Sequence, residues 1–102
     1  MSYEIGKKLI KQKQYKKAFY IFSKLLEKNS RDLRANFQMG KIYYELNNLS
    51  KSLFFFEKCN KIQPNTPNII FNLALIYQSI GKIKEARKQY LNLIAINSND
   101  IK

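Results

Sequence analysis

The 102-residue chain contains no histidine and a single cysteine, Cys59. The lack of histidine excludes histidine-based metal sites, catalytic triads and imidazole acid–base catalysis. One cysteine can form neither an internal disulfide nor a cysteine cluster for zinc or an iron–sulfur centre. The three glycines are too widely spaced for a phosphate-binding loop, and the five glutamates form no evident carboxylate pair. We therefore expect no enzyme, no metal and no cofactor.

Long apolar runs are also missing. No run approaches the roughly 20 residues that a membrane-spanning helix needs. The first four residues, MSYE, lead directly into a lysine-rich amphipathic segment, so the start does not resemble a signal peptide. These features predict a cytoplasmic chain without a membrane span, in which Cys59 is a small buried hydrophobe rather than a redox group.

Acidic residues are few: 19 Lys and Arg oppose 7 Asp and Glu, for a net charge of +12. The excess is greatest in residues 1–32, where nine basic residues face three acidic ones. One interpretation is a solvated surface from a compositional bias toward Lys, Asn and Ile. The other is attraction to acidic proteins, nucleic acid or anionic lipid. The first is favoured, and nucleic acid disfavoured, because the lysines look scattered rather than interleaved with exposed aromatics.

The chain does contain a strong periodic pattern. Residues 73–98 show apolar residues at three- and four-residue steps on both sides of Gly81, which is typical of two antiparallel amphipathic helices. The same pattern occurs twice earlier at a spacing of 34 residues. The positions that correspond at this spacing are Gly6, Gly40 and Ala74; Leu9, Tyr43 and Tyr77; Ala18, Ser52 and Ala86; Phe22, Phe56 and Tyr90; and Leu25, Cys59 and Leu93.

A 34-residue helix–turn–helix with small and aromatic residues at these places resembles the tetratricopeptide repeat. The motifs that carry the resemblance are Met39-Gly40-x-x-Tyr43, Leu73-Ala74-x-x-Tyr77, Ala18-x-x-x-Phe22 and Ala86-x-x-x-Tyr90, with Pro64 closing the middle unit. The family's early tryptophan is replaced by Ser2, Asn36 and Ile70. The resemblance implies an all-α, right-handed superhelical solenoid of three antiparallel helix-turn-helix repeats, six helices in total, forming a single array over residues 1–102.

The expected repeats are residues 1–32, 33–66 and 67–100. Turn and capping residues place the helices at about 1–13, 15–28, 32–46, 49–62, 67–80 and 83–97. In the first unit, Lys8 and Gln12 occupy positions that are apolar in the later units, as expected where no repeat precedes them. The last helix keeps Leu91, Ile94 and Ile96 apolar, and residues 97–100 match an inter-repeat turn. This pattern predicts either the N-terminal part of a longer protein or a homodimer through the last helix.

The resemblance further implies a non-enzymatic scaffold whose first helices line a concave groove for a partner peptide or helix. Carried over by position, the groove residues are Tyr3, Lys7, Lys11, Arg34, Phe37, Gln38, Lys41, Tyr44, Phe71, Asn72, Leu75 and Gln78. Glu4, Ile10, Glu45, Asn68 and Ser79 fall on the same face. The basic residues favour an acidic partner, and the aromatic ones either anchor it or only fill the floor of the groove.

A further hypothesis follows from the same resemblance. The chain could be an accessory or targeting domain of a larger enzyme. The clamp by which chaperone-binding members hold a terminal carboxylate is present only in fragments, because Tyr3 and Asn68 replace basic residues. Binding of a chaperone tail is therefore disfavoured.

Tyr20 and Phe54 stand at equivalent outer positions of second helices, where polar residues are usual. They could form a contact on the convex side or have no function, since isolated exposed aromatics are common.

Overall fold

The computed structural model describes residues 2–100, and the side chains up to Ser98. Met1 and Ile101, which were expected to begin the first helix and a fourth unit, lie outside the described residues. Within that range the chain forms helices and turns and no strand. The six helices are α1 (Tyr3–Lys11), α2 (Tyr15–Lys28), α3 (Leu33–Glu45), α4 (Leu49–Ile62), α5 (Pro67–Ser79) and α6 (Ile83–Asp100).

Side-chain caps fix several of the helix starts. The Asp32 carboxylate accepts the backbone N–H of Ala35 at 3.1 Å, and the Ser2 hydroxyl accepts that of Ile5 at 3.2 Å. Such caps satisfy N–H groups that have no partner within the first turn of a helix. Pro67 lies in the first turn of α5, where its missing N–H costs little. Polar residues between the repeats therefore set where the first helices begin.

The turns inside the three hairpins share one backbone conformation. Lys13, Asn47 and Gly81 have φ angles of 58°, 60° and 83°, and they correspond at the repeat spacing. A residue in the left-handed region ends one helix and reverses the chain within a few residues. The prediction that Asn47 takes the conformation of Gly81 is confirmed. Each hairpin consequently packs as two antiparallel helices, and neighbouring hairpins stack on one another in a solenoid.

The core lies between the helices of each hairpin and between successive hairpins. Phe22 and Phe56 are almost fully buried and face the Gly6 and Gly40 backbones. Cys59 is fully buried, as predicted, and burial raises its thiol pKa to about 12. A neutral, enclosed thiol of this kind packs as a hydrophobe rather than reacting.

The predicted bounds of α2 and α4 are confirmed, whereas four others differ. α1 ends two residues before the expected Lys13, because Lys13 takes the left-handed conformation. In α3, Asp32 is the cap rather than the first helical residue. Both α3 and α5 end one residue early. The last helix continues to Asp100, so the turn expected at residues 97–100 is wrong. None of the described helices is long and apolar enough to cross a membrane.

Candidate functional site

A cleft of about 400 Å³ opens between the first helices of the three hairpins. α1 and α3 form most of it, and the start of α5 closes one side. Its lining residues are Tyr3, Lys7, Leu33, Arg34, Phe37, Gln38, Lys41, Thr66, Asn68 and Ile69. Of the twelve residues predicted for the groove, the structure thus brings six together in one cleft.

Tyr3 is held in place from three sides. Its ring packs edge-on against Phe22 with the centroids 5.9 Å apart. The side-chain amide of Gln38 donates to its hydroxyl at 3.1 Å. The Arg34 guanidinium lies over the ring, 4.0 Å from the centroid, and the Lys7 ammonium lies 5.7 Å away. These contacts orient two cations and one aromatic ring before any ligand arrives.

Phe37 forms an apolar part of the cleft floor. It is half-buried and packs edge-on against Phe56, with 5.1 Å between centroids. Tyr3 and Phe37 therefore each have one face in the core and one face toward the cleft. Whether these rings anchor a partner or only fill the floor of the groove stays a prediction.

The cleft is basic. Lys7, Arg34 and Lys41 are exposed, and none of the ten lining residues is acidic. Three cations on two neighbouring helices produce a positive potential at a partly apolar surface. This combination suits an acidic ligand that also carries an apolar group.

The other six predicted groove residues lie elsewhere on the array. Lys11 lines a separate shallow cleft with Glu4, Lys7 and Lys8. Tyr44 and Leu75 are half-buried, and Phe71 is 45% exposed. The Asn72 amide donates to the Asn68 carbonyl at 2.7 Å, within its own helix. Gln78 accepts a hydrogen bond from the Tyr90 hydroxyl at 3.0 Å.

Sequence reasoning missed Leu33, Thr66 and Ile69 as lining residues. Thr66 is the N-cap of α5 and belongs to the turn between repeats, whereas the prediction considered only the inner face of the first helices. Leu33 and Ile69 lie in the first turns of α3 and α5. Their closeness to the N-caps Asp32 and Thr66 was the available signal.

A second cleft of about 400 Å³ lies at the end of the array, along α6. Its lining residues are Gln78, Ile83, Ala86, Arg87, Tyr90 and Leu91. Ile83, Leu91 and Ile94 are 62%, 57% and 60% exposed. Two of the lining residues, Arg87 and Leu91, correspond at the repeat spacing to Phe19 and Glu57. Phe19 packs on Tyr43 of the next hairpin, and Glu57 accepts a hydrogen bond from the Tyr77 hydroxyl of the next hairpin. The end cleft is therefore the position on which a following helix would pack.

Comparisons with known proteins agree with this architecture. The sequence model of the family described as anaphase-promoting complex, cyclosome, subunit 3 matches residues 9–93. The uncharacterized protein ycf37 of Pyropia yezoensis is 31% identical over 109 aligned positions, which cover 97% of this chain and 61% of ycf37. The chain thus spans less than two thirds of that relative.

Solved structures of MamA share the fold. One crystal structure of MamA superposes with a TM-score of 0.89 at 18% identity, covering 97% of this chain and 58% of MamA. MamA from Desulfovibrio magneticus RS-1, beginning at its residue 41, gives a TM-score of 0.88 at 22% identity, covering 95% of this chain and 55% of that chain. The predicted repeat type and fold class are confirmed. The chain belongs to the family of anaphase-promoting complex, cyclosome, subunit 3, and is a tetratricopeptide-repeat protein.

Proposed function

We propose that this chain is a non-catalytic protein-interaction module that binds an acidic, extended segment of a partner protein in the cleft between α1 and α3. The observation that carries the proposal is the convergence of Lys7, Arg34 and Lys41 around Tyr3 and Phe37 in a cleft with no acidic lining residue. The fold supports an interaction role, and the family description, which names a subunit of a multiprotein complex, suggests a protein partner.

Arg34 is the residue best placed to bind the partner. Its guanidinium carbon lies 4.0 Å from the centroid of the Tyr3 ring, and this contact restrains the side chain. A guanidinium fixed in this way can present paired N–H donors to a carboxylate with little further loss of side-chain entropy. Aromatic and arginine side chains at the centre of a cleft are also the groups that dominate binding energy at protein interfaces.

The test is a fluorescence anisotropy titration with two labelled peptide pools, one rich in Asp, Glu and Phe and one with Lys in place of the acids. We expect the protein to bind the acidic pool and not the basic pool. The double variant Arg34→Ala, Lys41→Ala should bind at least tenfold more weakly, because each charge-assisted hydrogen bond contributes about 1.5–3 kcal/mol.

The matched control is Lys17→Ala, Lys51→Ala, which removes the same charge from exposed sites on α2 and α4. It should retain binding. Equal binding of both pools, or an equal loss in the control, would exclude recognition by the cleft. Circular dichroism of each variant verifies that the helices remain.

A second candidate function is self-association through α6, favoured by the exposed Leu91 and Ile94 beside the end cleft. Sedimentation equilibrium should show a dimer that the variant Leu91→Glu, Ile94→Glu converts to a monomer. A monomeric mass of the unmodified chain across the concentration range excludes it. An accessory role in a larger enzyme and a cytoplasmic location stay predictions.

A further inference from the structure

The outer side of the array, formed by the second helices, contains a pattern that the cleft does not use. A lysine, an aromatic residue and a second lysine follow one another at spacings of three and four residues in α2, and again in α4. Residues at such spacings share one helix face. These two Lys–aromatic–Lys stripes correspond at the 34-residue repeat spacing and consist of Lys17, Tyr20 and Lys24 in α2 and Lys51, Phe54 and Lys58 in α4.

The third hairpin does not continue the pattern. Its corresponding residues are Glu85, Lys88 and Asn92. The stripes are therefore confined to the first two repeats. Although the lysines look scattered along the sequence, the repeat register shows that these four flank exposed aromatics.

The two aromatic residues are unusually accessible. Tyr20 is 53% exposed and Phe54 is 60% exposed. Phe54 packs edge-on against Phe55 at 5.2 Å, and Phe55 stacks on Tyr43 at 5.7 Å. Phe54 is thus the outermost ring of a packed row whose inner members are half-buried. One exposed ring needs no explanation, but two at one repeat position, each between lysines, form a defined surface.

The acidic neighbours of this surface cancel only a part of its positive charge. Glu27 is paired with Lys24 at 3.3 Å, and Glu57 accepts the Tyr77 hydroxyl of the next hairpin at 3.1 Å. Lys17 and Lys51 are exposed, and Lys24 and Lys58 are half-buried. The Lys51 ammonium lies 5.5 Å from the Tyr43 ring, so its stem follows the aromatic row while its charge reaches water.

We propose that the two Lys–aromatic–Lys stripes dock the chain on the surface of an anionic lipid bilayer. The lysines would contact lipid phosphates, and Tyr20 and Phe54 would enter the boundary between headgroups and acyl chains. Exposed aromatics flanked by lysines have the composition of interfacial membrane contacts. The contact would be peripheral, and it is independent of the proposed function of the cleft.

The shape of the surface favours lipid over other anionic partners. Neither Tyr20 nor Phe54 lines the clefts described above or the one that Lys24 lines on α2. The two exposed rings therefore stand outside these clefts. Proteins that bind single-stranded nucleic acid combine stacking rings with a groove that follows the backbone. A bilayer is extended and deformable, so it can cover a protruding surface without a groove.

The absence of tryptophan from the sequence permits a direct probe. We would place one tryptophan in the stripe as Phe54→Trp and, as a matched control, one on the cleft side as Phe71→Trp, at a site that is 45% exposed. Vesicles of phosphatidylcholine with phosphatidylserine should shift the emission of Phe54→Trp to the blue, and pure phosphatidylcholine should not. The emission of Phe71→Trp should stay unchanged with both.

Vesicle co-sedimentation then tests whether binding to vesicles depends on the two stripes or only on the net charge of the chain. Lys17→Gln, Lys51→Gln should bind phosphatidylserine vesicles about 25-fold more weakly, since each lysine near an anionic surface is worth about fivefold in affinity. The control Lys7→Gln, Lys41→Gln removes equal charge from the cleft and should bind as the unmodified chain does. Tyr20→Ser, Phe54→Ser keeps the charge and should lose the binding that survives high salt.

Three results would overturn the proposal: no blue shift of Phe54→Trp with phosphatidylserine vesicles, an equal loss in the cleft control, or an unchanged salt dependence in Tyr20→Ser, Phe54→Ser. A fourth is the release of the protein from vesicles by oligothymidylate at equal phosphate concentration. That result would assign the surface to single-stranded nucleic acid. Loss of cleft binding in the peptide titration has no bearing on these outcomes, so the two proposals fail separately.

Discussion

The contact between Gly40 and Phe56 offers a sharp test of how tightly the hairpins pack. A Cβ atom at residue 40 would lie 2.7 Å from Cε2 and 2.9 Å from Cδ2 of the Phe56 ring. Ordinary contacts begin near 3.4 Å, so the ring would have to retreat. Phe56 is only 1% exposed and is packed against Phe37, which leaves it no free space. We therefore expect Gly40→Ala to destabilise the fold.

Two opposing contributions set the change in the free energy of unfolding that Gly40→Ala should cause. Overpacking in a dense core costs about 1–3 kcal/mol. Alanine recovers about 1 kcal/mol, because it is a better helix former than glycine. The net loss should be on the order of 1 kcal/mol, and the melting temperature should fall by about 4–8 °C. Ala74, which stands at the corresponding position in the third hairpin and is fully buried, shows that the backbone there accepts a side chain.

Thermal and urea unfolding of Gly40→Ala, Phe56→Leu and the double variant measure the effect as a double-mutant cycle. In the Phe56→Leu background the clash is gone, so Gly40→Ala should stabilise the protein by about 1 kcal/mol through helix propensity. The effect of the same substitution thus changes sign. A stabilising Gly40→Ala in the unmodified protein, or the same effect in both backgrounds, would refute the packing argument.

Three further outcomes are expected. Cys59 should react with a thiol reagent at least about a thousandfold more slowly in the folded than in the urea-unfolded chain, because its pKa rises from 9.0 to about 12. Rapid labelling of the folded chain would contradict the burial of Cys59. The free energy of unfolding should fall as pH rises from 9.0 toward about 12, because the unfolded chain loses the Cys59 thiol proton at a lower pH than the folded chain does. Urea unfolding across this pH range should show a smaller fall for Cys59→Ala. Ser52→Ala should lower the free energy of unfolding by about 0.5–1.5 kcal/mol, because its buried hydroxyl donates to the Gly40 carbonyl at 2.7 Å, whereas exposed Ser50→Ala should have no effect.

The repeat pattern was sufficient to predict the fold. The spacing of 34 residues aligns small residues and rings at fixed places in the units. In the structure the aligned residues Gly6 and Gly40 lie against the aligned rings of Phe22 and Phe56. The helices bounded by strong turn signals, such as α4 between Asn48 and Pro64, were also predicted correctly. Where only weak signals exist, the prediction failed. Asn97 corresponds to Asn29 and Asp100 to Asp32 at the repeat spacing, yet α2 ends at Lys28 whereas α6 continues through Asn97 to Asp100.

The cleft was predictable only in part. Position in the repeat identifies which side chains face inward, and six of them do line one cleft. Position in the repeat does not show which of these side chains already form hydrogen bonds within the chain. Gln38 is 6% exposed and its amide donates to Tyr3, and the Asn72 amide donates to Asn68 within the same helix. Contacts between side chains from different repeats depend on the stacking geometry, and the sequence of one unit does not contain it.

The most direct test of the central claim is amide chemical-shift mapping of the isotope-labelled chain with the acidic peptide pool. Recognition in the cleft predicts the largest shifts at Tyr3, Arg34, Phe37 and Lys41, with none on the outer face of α2 and α4. Shifts confined to α6 around Leu91, or shifts that scale only with local positive charge, would contradict the assignment of the cleft as the binding site.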